Sequence, residues 1–183
     1  MQQSGPTSLL PWQVAQFNVL LSLHRQQRLG HAWLLGGIEG TGKLSFAMFL
    51  ANYLFCSEPE ADKCCGHCSG CNLFAAGTHP DFRLILPEKK LITIDQIREC
   101  LDFAHNTSGR GGMKILIASP AEAMNHNAAN ALLKLLEEPP VNTLLLLVSH
   151  QPGMLLATIR SRCQKLLCPL PSAAQATSWL EKQ

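Results

Sequence analysis

Two groups of residues in this 183-residue chain have types and spacings suited to chemistry. The first is Gly37-Ile38-Glu39-Gly40-Thr41-Gly42-Lys43, which fits the pattern G-x-x-x-x-G-K. Gly37, Gly40, Thr41 and Gly42 would supply backbone N–H groups that wrap a phosphate chain. Lys43 would reach the outer phosphates from the start of a helix whose dipole adds positive potential. The second is a run of five cysteines, Cys56, Cys64, Cys65, Cys68 and Cys71, too crowded for a disulfide framework. Cys65, Cys68 and Cys71 form C-x2-C-x2-C, and with Cys56 they make a four-thiolate set suited to structural Zn²⁺. An iron-sulfur run would want a further cysteine where Ala75 stands. Cys64 and His67 remain alternatives for the fourth ligand. The segment from Cys56 to Cys71 has one Lys and no Arg, which argues against a nucleic-acid finger.

The glycine loop has the groups for binding a triphosphate but lacks those for cutting it. A Ser or Thr hydroxyl should follow Lys43 to ligate Mg²⁺, and the chain has Leu44 there. Ser45 is adjacent, but one step along a helix turns its side chain by about 100°. The carboxylates that hold metal and activate water should end a later apolar strand. After the run 114–118 the chain has Ser119 and Pro120. Glu122 comes two positions late and is expected to be a solvated carboxylate in a first helical turn. The loop thus leaves nucleotide binding open and makes efficient hydrolysis unexpected. Near the other end, Ser161-Arg162-Cys163 has the look of surface sequence, and its spacing from Arg160 names no target.

These groups need elements to position them. Largely apolar runs at 31–35, 82–86, 114–118, 144–148 and 165–168 are expected to be strands, the first four of them buried. Helical patterns cover 11–28, 43–55, 94–105, 127–138 and a short stretch at 154–159. Thr93 and Gln96 form a capping box for the third helix, and Pro139 and Pro140 stop the fourth. Alternation of strands and helices implies an α/β fold: a parallel five-stranded sheet with helices on both faces. Residues 56–80, which include the cysteine segment 56–71, interrupt that rhythm as an insertion. The glycine-rich 108–112 is expected to be a mobile loop. Ser172 is placed to cap a helix running to the last residue, so the chain is expected to be a piece of a longer protein.

Lys and Arg number 15 against 13 Asp and Glu, a net charge of +2 that identifies no acidic partner. The longest apolar run, 46–51, is far short of the about 20 residues of a membrane span. The first residues lack the basic-then-apolar plan of a signal peptide, and free cysteines suit a reducing compartment, so a cytoplasmic location without membrane contact is expected. Cys100, Cys163 and Cys168 are expected to be small buried hydrophobes.

Taken together, several stretches resemble the clamp-loader branch of the AAA+ family. They are His31-Ala32-Trp33-Leu34 before the glycine loop, the C-x8-C-x2-C-x2-C insertion, the run from Asn130 to Pro140, and Ser161-Arg162-Cys163. The resemblance spans 11 to about 170. It implies an AAA+ module over 1–168, with the zinc-binding insertion at 56–71, and the start of a helical lid over 169–183. It also implies membership of a ring, with gamma/tau and delta subunits, that opens a sliding clamp and places it on primed DNA as part of DNA polymerase III. Arg162 would then be an arginine finger reaching a neighbour's ATP. The ATP-hydrolysing gamma/tau type has Asp, Glu and Thr where this chain has Ser119, Pro120 and Leu44, so little ATPase activity is expected here. The alternative is a self-sufficient ATPase of the gamma/tau type that uses Ser45 and Glu122 as displaced substitutes.

Overall fold

Short β-branched and leucine-rich runs bounded by turn residues pair into one sheet. The computed structural model describes residues 8–61, 63–109 and 112–181. Its strands are β1 (Ala32–Gly36), β2 (Phe82–Ile85), β3 (Lys114–Ala118), β4 (Thr143–Ser149) and β5 (Gln164–Leu167). All neighbours are parallel, in the order β2-β3-β4-β1-β5. Parallel neighbours need crossovers, and helices supply them: α2 (Lys43–Phe55), α3 (Ser69–Ala75), α4 (Ile94–His105), α5 (His126–Glu137) and α6 (Ala157–Arg162), with α1 (Val14–Arg25) before the first strand and α7 (Ala173–Leu180) after the last.

Every residue of β1, β3 and β4 is buried, because helices cover both faces. On one face, Phe17 and Leu20 of α1 and Phe46 and Phe49 of α2 pack on Trp33, Leu35, Ile115 and Leu146. The ring of Phe17 meets those of Phe49 and Tyr53 edge-on, at 5.4 and 5.0 Å between centroids. On the other face, Ile97 and Phe103 of α4 and Leu132 and Leu135 of α5 cover Leu34, Leu116, Leu145 and Leu147. The α/β architecture with a parallel five-stranded sheet is therefore as expected.

β3, α2 and α4 have the expected bounds, and the capping box closes in both directions: Gln96 N donates to Thr93 Oγ1 and Thr93 N to Gln96 Oε1. Elsewhere local chemistry shifts the ends. The first helical stretch opens as a 3-10 turn at Pro11–Gln13 and ends at Arg25, since Gln27 takes a left-handed φ of 56°. α5 starts at His126 because Asn125 caps it, its Oδ1 accepting from Ala128 N at 2.8 Å. The short helix expected at 154–159 falls at Ala157–Arg162, behind a 3-10 turn at Pro152–Met154. Within the expected mobile loop, Gly109 N donates to Asp81 Oδ1 at 2.7 Å, while Arg110 and Gly111 lie outside the described residues.

The insertion contains a helix, α3, that its Cys and Gly content hid. Phe74 of α3 is buried between Phe55 and Phe82, with centroids 6.0 and 4.8 Å away. Gly70 allows this docking: a Cβ there would lie 2.1 Å from the Phe55 carbonyl oxygen.

The aromatic packing between α1, α2 and the sheet predicts that Phe49→Ala lowers the unfolding free energy by about 3–5 kcal/mol. Urea unfolding followed by circular dichroism measures this; a loss below about 1 kcal/mol would contradict the packing described.

Candidate functional site

The glycine loop leaves the C-terminal end of β1, where α/β sheets of this kind bind ligands. Gly42, the N-cap of α2, has φ 78°, and a Cβ there would lie 2.5 Å from Leu10 Cδ1. A Cβ on Gly37 would meet the Cys168 carbonyl oxygen at 2.4 Å, so glycine lets β1 and the chain after β5 approach. Lys43 is turned inward and only 2 % exposed. Its Nζ donates to the Ile38 carbonyl at 2.6 Å and to Thr41 Oγ1 at 3.5 Å. Burial lowers its pKa, while Cys168, Glu122 and Glu39 act in the opposite direction.

The N-terminal segment lies across the same loop. Trp12 Nε1 donates to the Thr41 carbonyl at 3.0 Å, and Gln13 Nε2 donates to the Thr41 and Gly42 carbonyls at 3.2 and 2.9 Å. Gln13 is buried, and nothing in its spacing, 28 residues before Thr41, signals this contact. The loop's own lysine and this segment thus engage its Ile38, Thr41 and Gly42 carbonyls from within the chain.

Beyond the loop, β3 ends at Ala118 and is followed by the buried Ser119 and by Pro120, which carry no carboxylate. Ser45 is exposed, as one turn-step from the loop dictates. Glu122 corrects the expectation of a solvated carboxylate. It is partly buried in a 3-10 turn, and its Oε1 accepts from His150 N at 2.7 Å and Gln151 N at 3.0 Å. Burial alone would raise its pKa, but the N–H donors around it outweigh burial and lower it. Glu122 therefore ties the turn after β3 to the end of β4.

The four cysteines Cys56, Cys65, Cys68 and Cys71 come together, with all sulfurs within 4.8 Å of one another. Cys56 Sγ lies 3.5 Å from Cys65 Sγ and 4.0 Å from Cys68 Sγ. These values bracket the separation of about 3.8 Å that a tetrahedral ion with bonds of about 2.3 Å demands. Backbone N–H groups of Cys65, Cys68 and Cys71 donate to Cys56, Cys65 and Cys68 sulfurs at 3.4, 3.3 and 3.4 Å. Burial opposes ionisation of Cys68, but donors from Cys71 and Ser57 hold it down to about 5. Burial pushes the Cys56 and Cys71 thiols up and takes Cys64 up to about 12. Such a set cannot hold four negative sulfurs without a cation among them, and the donor set fits Zn²⁺. Cys64 lies outside the four and packs against the core instead; His67 is also outside them.

Arg162 ends α6 on the opposite side of the sheet from α1 and α2. Its Nη1 donates to the Thr158 carbonyl at 3.1 Å, and its Nη2 lies 2.8 Å from Glu137 Oε1. Sequence spacing gave no sign of this partner, 25 positions upstream in another helix. Cys100, Cys163 and Cys168 are buried, as expected.

A parallel sheet of this order, with a glycine loop leading from β1 into α2, defines an AAA+ P-loop module. The family model described as "DNA polymerase III, delta subunit" matches residues 12–170. The chain is 48 % identical to DNA polymerase III subunit delta' of Pseudomonas aeruginosa and 38 % identical to that of Escherichia coli, over 95 % and 94 % of its length. A solved gamma subunit-related protein of Thermotoga maritima superposes with TM-score 0.63 at 27 % identity, covering 84 % of this chain and 46 % of that one. The chain belongs to the delta-prime subunit family of DNA polymerase III. It spans about half the length of the two curated relatives, 53 % and 52 %.

The lowered Glu122 pKa fixes a sign. Its stabilisation is complete above the unfolded value of about 4.3 and is lost as pH falls through the lower folded value. Glu122→Gln is expected to cost about 1–2 kcal/mol near neutral pH, with the difference from wild type closing in acid. Thermal unfolding of both proteins across pH 3–8 tests this, and a difference independent of pH would contradict it.

Proposed function

We propose that this chain is a clamp-loader subunit of the DNA polymerase III holoenzyme that turns over little or no ATP itself and donates Arg162 in trans. The observation that carries this reading is a glycine loop whose Lys43 is bonded to its own Ile38 carbonyl, in a fold with Ser119 and Pro120 in place of carboxylates directly after β3. Gly37, Gly40, Thr41, Gly42 and Lys43 form a degenerate nucleotide site: ATP binding requires Lys43 to leave Ile38 and is not followed by hydrolysis. A guanidinium on developing phosphate charge contributes about 10³ to 10⁵ in rate, enough to make the subunit necessary to a neighbour's reaction.

The partners of this reading are the gamma/tau and delta subunits, with the sliding clamp and primed DNA engaged through the complex in the cytoplasm. Among the described residues no helix is long and apolar enough to cross a membrane. Residues 1–168 form the AAA+ module and 169–183 open the lid. In support, Ser172 caps α7, and Trp179 of α7 meets Trp12 edge-on at 5.9 Å, above the glycine loop. Cys56, Cys65, Cys68 and Cys71 hold a structural Zn²⁺, which supplies no reactive chemistry but neutralises the thiolates and orders a segment with little apolar content.

In a loader reconstituted with full-length subunits, Arg162→Ala is expected to lower ATP turnover about tenfold or more. An unchanged rate would discard the finger. Phosphate release by the full-length subunit alone should stay at background; release that disappears in Lys43→Ala would support the self-sufficient ATPase instead. Elemental analysis of protein purified without chelator should find one zinc per chain, and iron or no metal would overturn that assignment.

A further inference from the structure

Glu137 occupies an unusual position. It is the last residue of α5, where unpaired carbonyls already make the potential negative and the helix dipole disfavours a carboxylate. Lys134 is the basic residue of that last turn, yet the partner that meets the Glu137 carboxylate is Arg162, at 2.8 Å from a different helix. The other arm of the guanidinium donates to Thr158 O, a carbonyl that also accepts from Ser161 Oγ at 3.1 Å. One cation thus spans the C-terminal ends of α5 and α6, where a positive charge is favoured. The Arg162 side chain is still 37 % exposed, so the two contacts hold part of its fork and leave the remainder accessible.

We infer that Glu137 is the positioning residue of Arg162, fixing the guanidinium in the orientation in which it meets a phosphate group on a neighbouring subunit. The inference rests on the finger role proposed above. A free arginine must give up the freedom of four side-chain torsions when it engages a phosphate, and a tether made in advance removes part of that loss from the reaction step. The pair is half-exposed and therefore weak, so it orients the side chain without outbidding a polyphosphate that carries several negative charges. Pro139 and Pro140 end α5 directly beyond, which keeps Glu137 on the final turn rather than inside a longer helix.

The test uses a loader reconstituted from full-length subunits, with ATP turnover followed as kcat and KM. Glu137→Ala is expected to lower kcat about threefold to tenfold while KM for ATP changes less than about twofold. Glu137→Gln keeps the acceptor oxygen and is expected to recover at least half of the loss. In an Arg162→Ala background Glu137→Ala should do nothing more, because its route to the reaction runs through that one side chain. An unchanged kcat in Glu137→Ala, or its full effect reappearing in the Arg162→Ala background, overturns the positioning role and leaves the finger standing. A loader insensitive to Arg162→Ala overturns the finger and this inference together, so the two failures read differently. If Glu137→Ala does not assemble, Glu137→Ser, which also lacks the carboxylate that meets Arg162, carries the test: a kcat reduced only when Arg162 is present supports the role, and a wild-type kcat overturns it.

Discussion

The hydrogen bond from Lys43 Nζ to the Ile38 carbonyl, 2.6 Å long, governs how the rest of the site is arranged. A buried ammonium must be paired, and here the loop pairs it with one of its own oxygens. With that pair made, the remaining outward carbonyls of Thr41 and Gly42 accept from Trp12 and Gln13, so the N-terminal segment is held down by the loop it crosses. Glu122, whose charge favours the protonated form of Lys43, is itself fastened to the end of β4. The ammonium that a triphosphate would address is therefore engaged within the loop itself.

Much of the fold was legible because three strands are covered on both faces. Continuous apolar runs such as 115–118 and 144–148 can be little else when turn residues bound them. Thr93 and Asn125 illustrate how one side-chain oxygen decides a helix start to within a residue. What escaped was structure with little pattern of its own. α3 is seven residues long, and the cysteines and glycine that give it a purpose mask its single buried aromatic.

The site divides in the same manner. Glycine spacing and cysteine spacing are local signals, so the loop and the four sulfurs could be picked out residue by residue. Contacts between distant segments leave no local trace: Gln13 on Thr41 and Glu137 on Arg162 depend on which helices the sheet brings together. Glu122 misled for a related reason, since its partners are backbone amides at 150 and 151, which any sequence would possess.

The close approach of α3 to Phe55 joins two parts of the molecule that have no chemistry in common. α2 begins at the glycine loop and ends against Gly70, and its 13 residues extend over about 20 Å. The cysteine cluster and the glycine loop are thus the two ends of a single rigid strut. Lengthening the cysteine segment at its exposed tip leaves that strut alone, whereas any side chain at position 70 would prise it from its mooring.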